Sequence, residues 1–246
     1  MDNTALQTEA QKNLAWLRNN VYPGRGIVTG KDESGNSVVQ VYWIMGRSDD
    51  SRNRVFVVDD GKVSTKAADP ARVKDDPSLL IYTAMRETND VFVVSNGAQT
   101  DAVIEGMDAR NSPVDVLTGW DYEPDPNHTS RITVVNDLDF DPEFFQLHII
   151  RKSLFGDNSD RFTYEYDEMG DGFGRCITTY TGDGNPLPPF TGEPLLMPLP
   201  GSIEEVIKLY WDALNEDNRI SIAVKFIDID TGVSEVRVHN KYHQVV

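Results

Sequence analysis

The sequence predicts an α+β protein in which mainly antiparallel sheets are covered by a few helices. Short β-branched and aromatic runs recur along most of the 246 residues and are separated by turn-forming residues. Two stretches with a helical hydrophobic period lie near opposite ends of the chain. No internal repeat and no linker rich in Gly, Ser or Pro divides the sequence. A single main domain is therefore the economical interpretation.

The first half of the chain predicts one long helix followed by strands. Residues 3–20 place Leu6, Ala10, Leu14 and Leu17 on one stripe, which is typical of a helix packed on a core. Strands are predicted at residues 26–30, 38–45, 54–58, 79–86 and 91–95, the last two paired around Asn89-Asp90. The polar range 59–77 is predicted to be a surface loop, and residues 100–107 a short helix.

The second half predicts four more strands, a helix and a terminal hairpin. The strands are residues 130–135, 144–151, 162–166 and 175–180. A capping box begins at Ser202 and ends at Glu205, at the start of a helix over residues 202–215. Its apolar face consists of Ile203, Val206, Ile207, Tyr210, Trp211 and Leu214, which predicts a packing surface. Residues 219–229 and 233–239 complete the fold as a hairpin.

Composition excludes several classes of protein. No apolar run approaches the roughly 20 residues of a membrane span, and the N-terminal residues lack the basic and apolar blocks of a signal peptide. Cys176 is the only cysteine, so an intrachain disulfide and a cysteine-based zinc site are excluded. The histidines show no metal-ligand spacing, and no Walker loop, Rossmann fingerprint or GxSxG motif occurs. We expect a cytoplasmic protein without metal or cofactor.

The net charge of -17 bears on the partners of this protein. A surface this acidic repels nucleic acid and anionic membranes, so neither is an expected partner. A small anion would need a local cluster of arginines, and Arg47, Arg52 and Arg54 follow the strand at 38–45. Forked guanidinium groups suit phosphate oxygens. Asp49 and Asp50 could instead pair with these arginines, which would make the segment an ordinary surface turn.

Three further polar loops follow strand-like segments. Residues 177–194 read ITTYTGDGNPLPPFTGEP, a loop whose glycines and prolines favour a defined shape. The other two are SNGAQTD at 95–101 and DYEPDPNHTSRI at 121–132. Each is also compatible with a simple turn. Together with the arginine loop, they predict a pocket on a β-rich scaffold, because binding residues concentrate on such loops.

Taken in order, these motifs resemble those of the archaeal-type IMP cyclohydrolases and their bacterial relatives. The resemblance runs from about residue 22 to about residue 200 and includes YWIMGRSDDSRNR and IYTAMRETNDVFVVSNGAQTD. It implies a single domain over 22–246, preceded by a helical extension over 1–21. It also implies a four-layer α-β-β-α sandwich like that of the N-terminal-nucleophile hydrolases, and a homo-oligomer, either a dimer or a tetramer. The archaeal proteins carry SNGSHTD, and Gln99 stands here in place of the histidine.

The resemblance implies a reaction and a set of site residues. The family closes the purine ring of 5-formamido-AICAR ribotide (FAICAR) to give IMP and water, without metal or cofactor. By motif position, Tyr82 and Glu123 correspond to its catalytic tyrosine and glutamate. The purine ribonucleotide is expected to contact Arg47, Arg52, Arg54, Asn96, Thr100, Asp121, Arg131, Asp183 and Asn185.

The chemistry of ring closure agrees with these residue types. Both reacting groups lie on one molecule, so the enzyme has to fix a reactive rotamer and move protons. A tyrosine hydroxyl can polarise the formyl oxygen, and a carboxyl group can shuttle protons. Two alternatives stay open at the level of sequence. One is a purine-nucleotide-binding relative without turnover, and the other is an amide hydrolase of related fold with a terminal nucleophile.

Overall fold

The computed structural model describes residues 2–73 and 77–244. Five α-helices occur in this part of the chain: α1 (Asn3–Asn19), α2 (Asp49–Arg52), α3 (Gln99–Asp108), α4 (Pro113–Thr118) and α5 (Ile203–Ala213). The first seven strands are β1 (Gly26–Lys31), β2 (Ser37–Met45), β3 (Arg54–Asp59), β4 (Lys62–Ala67), β5 (Thr83–Thr88), β6 (Val91–Ser95) and β7 (Arg131–Asp137). The remaining six are β8 (Phe145–Lys152), β9 (Ser159–Tyr166), β10 (Phe173–Thr178), β11 (Leu195–Pro198), β12 (Arg219–Asp228) and β13 (Ser234–Asn240).

The strands form two sheets, which confirms the predicted α+β class with few helices. Sheet A has six strands in the order β11-β10-β1-β2-β12-β13. Sheet B has seven strands in the order β3-β4-β5-β6-β7-β8-β9, so its neighbours follow chain order. Within the described residues, every pairing between these strands is antiparallel.

Three apolar clusters show how these elements stack. The largest lies between the two sheets and joins Tyr42 and Ile44 of sheet A to Phe92, Ile132 and others of sheet B. A second cluster covers the opposite face of sheet A with α1 and α5. The third covers the opposite face of sheet B with α3 and α4. Alternate residues of the central strands therefore enter different cores, as the period of two requires.

Helix α5 packs on sheet A as its sequence predicts. The side chain of Ser202 accepts from the backbone N–H of Glu205, and the Glu205 carboxylate accepts from the N–H of Ser202. Ile203, Val206 and Tyr210 are buried in the cluster that also contains Trp43 of β2. The Tyr210 and Trp43 rings stack with centroids 6.0 Å apart. The capping box and the apolar stripe are thus both confirmed.

A polar row crosses the interior between the sheets. Thr29, Gln40 and Lys225 are neighbours across β1, β2 and β12. The Asn136 side chain of sheet B accepts from Thr29 at 3.0 Å and from Gln40 at 2.8 Å. Lys225 forms an ion pair with Glu87 of β5. These directional contacts fix the position of one sheet against the other.

The structure corrects several details of the predicted elements. The strand predicted at 79–86 begins only at Thr83, because the backbone N–H groups of Leu80 and Ile81 turn back to the carbonyl of Pro77. The prediction of a surface loop over 59–77 is wrong at Lys62–Ala67, which form β4; residues 74–76 of that range lie outside the described residues. Helix α4 and strand β11 were not predicted, because they are only six and four residues long. In addition, α4 begins with a proline and β11 ends with one. No helix in the described chain is long and apolar enough to cross a membrane.

Candidate active site

A cavity of about 410 Å³ opens where five segments meet beside the ends of the two sheets. These are the segment before β1, the β2–α2 loop with α2, the segment before β5, the loop before β7 and the loop after β10. The polar lining residues are Tyr22, Arg25, Arg47, Ser48, Ser51, Glu123, Asp125, Asn127, Thr129 and Tyr180. Leu79, Leu80, Pro126 and Leu187 supply the apolar wall.

Arg25 enters this cavity because two glycines let its backbone approach neighbouring elements closely. Gly24 has a φ of +73°, and a Cβ on it would lie 2.1 Å from Oγ1 of Thr179. A Cβ on Gly26 would lie 2.0 Å from the Trp43 ring. The backbone N–H of Arg25 then donates to Oγ1 of Thr179 at 3.1 Å. The turn thus holds a charged side chain in the interior.

Arg25 and Glu123 form a buried ion pair at the cavity. The guanidinium Nη2 donates to Oε1 of Glu123, and the two side chains are only 11% and 3% exposed. Burial raises the pKa of Glu123, while the charge and hydrogen bond of Arg25 oppose that rise. Burial opposes the charged form of Arg25, but Glu123 and the surrounding tyrosines leave its pKa well above the usual range. A carboxyl group with a raised pKa is suited to moving protons near neutral pH.

Asn96 holds the same carboxylate from the other side. Its Nδ2 donates to Oε1 of Glu123 at 3.1 Å and to the carbonyl of Ser130 at 2.9 Å. Its Oδ1 accepts from the backbone N–H of Ile132 at 2.8 Å. Asn96 is fully buried at the end of β6. Because its side chain is bonded on both ends, Asn96 presents a fixed donor to Glu123.

A group of buried tyrosines surrounds Arg25. The hydroxyl groups of Tyr82 and Tyr42 lie 2.6 Å apart, and both tyrosines interact electrostatically with the Arg25 charge. Tyr180 bonds to the hydroxyl of Thr129, and its ring stacks on Tyr22 at 6.0 Å. Burial raises the pKa of Tyr180 to about 12. Tyr82 is 6% exposed and lies two residues beyond Leu80, which lines the cavity.

The three arginines of the β2–α2 loop have separate positions. Arg47 lines the cavity, lies 4.5 Å over the Tyr22 ring and pairs with Asp183. Arg52 donates to the carbonyl of Gly46 at 3.2 Å and to Asn218 at 3.4 Å. Arg54 is buried and donates to the carbonyls of Met45 and Ser51. Its Nη1 has no hydrogen-bond partner among the described residues, and burial lowers its pKa.

The other predicted contact residues lie at different distances from the cavity. Thr100 is buried at the start of α3 and bonds to Ser95. Arg131 is buried and donates to the carbonyl of Asp121 at 2.8 Å. The Asp121 carboxylate is exposed and accepts from Ser159 and Arg161. Asp183 reaches the site through Arg47, and Asn185 is exposed on the same loop. The structure therefore brings Glu123, Asn96, Arg47 and Asp183 together, with Tyr82 beside Arg25.

Sequence reasoning missed Arg25, which provides the only cation bonded to Glu123 within the described residues. The signal that could have identified it is the segment YPGRG at 22–26, in which glycines bracket an arginine directly before a strand. Glycines in such a position indicate close backbone approach. Serines 48 and 51 were missed for a different reason, because short polar side chains in a turn are common.

The other reactive groups considered, Cys176 and the potential metal ligands among the described residues, give no evidence of a second site. Cys176 is fully buried in β10, and burial raises the pKa of its thiol. A buried thiol of this kind is a poor nucleophile. Over residues 2–73 and 77–244, no three His, Cys, Asp or Glu side chains are grouped to hold a metal ion.

Comparison with known proteins identifies relatives among archaeal enzymes. The chain is 32% identical over 121 residues to a Methanopyrus kandleri protein named IMP cyclohydrolase, covering 48% of this chain and 59% of the relative. A protein of the same name from Methanococcus maripaludis strain C7 is 33% identical over 120 residues, covering 47% and 58%. One from Haloquadratum walsbyi is 28% identical over 116 residues, covering 46% and 55%. The chain thus spans somewhat over half the length of these relatives.

A family-level comparison extends further along the sequence. The family described as IMP cyclohydrolase-like protein matches residues 22–232. This match includes β1–β12, all five segments that line the cavity, and both Arg25 and Glu123. It excludes α1, which precedes the matched region. The chain belongs to the IMP cyclohydrolase-like protein family.

Proposed function

We propose that this protein closes the purine ring of FAICAR to form IMP and water. The observation that carries the proposal is the buried Arg25–Glu123 pair in the wall of a cavity that also contains Arg47. Membership of the family and the names of the archaeal relatives support the same reaction. The cavity, of about 410 Å³, falls in the usual size range of small-molecule sites.

Arg47 is the group we assign to the 5′-phosphate of the nucleotide. It is 41% exposed at the cavity, whereas Arg52 bonds to Gly46 and Asn218 and Arg54 is enclosed. Ser48 and Ser51 add hydroxyl donors beside it. Asp183 pairs with Arg47, so a phosphate bound to Arg47 would take the place of the Asp183 carboxylate. Phosphate binding is thus expected to move the 181–187 loop.

Glu123 is the proton carrier in the proposed reaction. In the first step, the carboxamide nitrogen attacks the formyl carbon, a C–N bond forms, and the nitrogen gives a proton to Glu123. Glu123 then passes this proton to the former formyl oxygen, which becomes the carbinolamine hydroxyl. In the second step, Glu123 takes the proton of the adjacent ring nitrogen and gives it to that hydroxyl, which leaves as water and returns Glu123 to its ionised form. The raised pKa of Glu123 suits both directions of transfer.

Tyr82 is the donor we assign to the formyl oxygen. Its hydroxyl is bonded to that of Tyr42, so one tyrosine can donate to the substrate while accepting from the other. Arg25 lies close enough to both tyrosines to interact with them electrostatically. A nearby cation and a neutral donor stabilise the negative charge that develops on the oxygen. Asn96 keeps the Glu123 carboxylate in place during the reaction.

The proposal includes finer statements about the whole protein. The sequence of helices, sheet A, sheet B and helices supports a four-layer sandwich of the N-terminal-nucleophile hydrolase type. We assign residues 1–21 to a helical extension that packs on β11 and α5, and residues 22–246 to one domain. A homo-oligomer and a cytoplasmic location complete the proposal. Substrate contacts by Thr100, Asp121, Arg131 and Asn185 stay predictions.

Incubation of the purified protein with FAICAR tests the reaction directly. IMP should accumulate at a rate that is proportional to protein concentration and exceeds the rate without protein. Chromatography measures the amount of IMP formed. A control with Glu123→Gln, which cannot carry the proton, should form IMP far more slowly. Binding of IMP without any formation of IMP would instead favour the nucleotide-binding relative without turnover.

A further inference from the structure

Gln99 occupies a buried position between two residues of the site. It is the first residue of α3 and is fully buried. Its Oε1 accepts from Nη1 of Arg131 at 3.0 Å, and its Nε2 donates to Oδ1 of Asn96 at 3.1 Å. An arginine can only donate hydrogen bonds, so the contact with Arg131 fixes which end of the Gln99 amide is the oxygen.

The hydrogen bonds form a chain of uniform direction that ends at Glu123. Arg131 donates to Gln99, Gln99 donates to Asn96, and Asn96 donates to Oε1 of Glu123 at 3.1 Å. Hydrogen bonds aligned in this way polarise one another. The chain leads from the buried Arg131 guanidinium to the Glu123 carboxylate.

We propose that Gln99 is a positioning residue that sets the protonation state of Glu123, by fixing the Asn96 donor and by holding the Arg131 charge near the carboxylate. This inference rests on the proposed function, because the protonation state of Glu123 matters for ring closure. Gln99 acts through Asn96 and Arg131 rather than by contact with the substrate.

The charges around Glu123 define the direction of the effect. Burial disfavours its ionised form, and Asp125 also disfavours it. Arg25 and Arg131 favour the ionised form, Arg25 by direct contact and Arg131 through its charge. Without the Gln99 amide, Nη1 of Arg131 loses its acceptor, and Oδ1 of Asn96 loses the hydrogen bond that Gln99 donates to it. The ionised form of Glu123 is then less stabilised, so its pKa rises.

The substitution Gln99→Met removes both hydrogen bonds and keeps a side chain of similar length. We expect the pKa of Glu123 to rise by about one unit, as loss of a charge-assisted interaction implies. The pKa of Glu123 is measured by NMR titration of protein labelled with ¹³C at the glutamate carboxyl groups. The resonance of Glu123 is the one that is missing in Glu123→Gln. The acid limb of the kcat profile should move to higher pH by the same amount, with KM little changed. Gln11→Met, on the exposed face of α1, is the matched control.

Two further substitutions separate positioning from folding. Gln99→Glu can pair with Arg131 and so keeps a buried partner for it, but an ionised carboxylate cannot donate to Asn96. This variant should also raise the pKa of Glu123. Gln99→His, whose neutral ring has one acceptor and one donor, should return the pKa of Glu123 toward that of the wild type.

An unchanged pKa of Glu123 in Gln99→Met would overturn the inference, even if that variant is less stable, because Gln99 would then have only a structural role. Gln99→Glu adds a negative charge that raises the pKa of Glu123 by itself. If Gln99→Met does not fold, the uncharged Gln99→Leu, which also lacks both amide groups, decides by the same measurement. The NMR measurement needs no turnover. Absence of IMP formation by the wild type would therefore reject the proposed function, while the inference about Gln99 would still be decided by the pKa of Glu123.

Discussion

At the scale of single residues, the site combines one buried carboxylate with a cation that it contacts directly. Glu123 and Arg25 come from loops that are 98 positions apart and meet at the cavity. Removal of one partner from a buried pair leaves an uncompensated charge, which is costly. Arg25 is therefore as important to the proposed chemistry as Glu123, although it transfers no proton.

Tyr82→Phe tests the role of the buried hydroxyl pair. The change removes one oxygen, so the fold and nucleotide binding should persist while kcat falls by roughly 10² or more. The measurement is the steady-state rate of IMP formation. Tyr164→Phe on β9 is the matched control, because the Tyr164 hydroxyl bonds to the carbonyl of Gly192 and does not line the cavity. An active enzyme with an unchanged kcat in Tyr82→Phe would remove Tyr82 from the mechanism.

Arg47→Ala tests the assignment of the phosphate site. Loss of a charge-assisted contact should weaken the binding of IMP or AMP by roughly tenfold or more. Binding of the corresponding nucleosides, which lack phosphate, should change much less. Calorimetric titration with both ligand classes measures the difference, with Arg237→Ala on exposed β13 as control. Equal losses for nucleotide and nucleoside would contradict the assignment.

At the scale of elements, helix α5 provides a clear link from sequence to stability. Its capping box satisfies backbone N–H groups at the first turn, and its apolar stripe is buried on sheet A. A cap contributes to stability without touching the cavity. Its effect on unfolding can therefore be separated from effects on turnover.

Ser202→Ala should lower the free energy of unfolding by about 1 kcal/mol, because it removes the acceptor for the N–H of Glu205. Ser202→Asp, which retains a capping oxygen, should lie close to the wild type. Denaturant unfolding of the three proteins measures the effect. If Ser202→Ala and Ser202→Asp lower the free energy of unfolding by the same amount, loss of the capping hydrogen bond does not explain the destabilisation.

Elements with a strong period were predictable, and short or polar ones were not. Helices α1 and α5 and strands β2 and β6 follow directly from their apolar patterns. Strand β4 reads KVSTKA, in which Lys, Ser and Thr mask a strand whose Val63 and Thr65 are buried. These residues form a strand because they pair with β3 and β5, and the β-propensity of the local sequence does not predict such pairing.

The site shows the same division. Glu123 and Asn96 lie in loops that the sequence marks with turn residues, and the family resemblance assigns them roles. The short helix α2 separates the three arginines of this segment. Arg47 lines the cavity, Arg52 bonds to Asn218 outside the cavity, and Arg54 lies in the interior. Sequence spacing alone does not contain these directions.

At the scale of the whole molecule, the face of sheet B that α3 and α4 cover also buries a titratable group. His148 of β8 is 3% exposed, and burial lowers its pKa to about 4. Its Nδ1 lies 3.0 Å from the hydroxyl of Thr163. The folded protein thus favours the neutral imidazole, whereas the unfolded chain has an ordinary histidine with a pKa near 6.5.

Stability should consequently fall between pH 6.5 and pH 4. In this window the unfolded state binds a proton that the folded state excludes, so the free energy of unfolding decreases as pH falls. From His148 alone, the loss between pH 7 and pH 5 should be about 2 kcal/mol. Denaturant unfolding at both pH values measures it. His148→Gln should remove this part of the pH dependence, and an equal dependence in both proteins would contradict the prediction.

The central claim joins all three scales: we propose that the buried Arg25–Glu123 pair, in a cavity at the ends of two sheets, performs ring closure. The most direct test is the rate of IMP formation from FAICAR by the wild type and by Glu123→Gln at equal protein concentration. We predict steady turnover by the wild type and a fall in kcat of roughly 10² or more in the variant, with IMP affinity largely retained. Equal turnover by both proteins, or no turnover by a wild type that binds IMP, would contradict the claim.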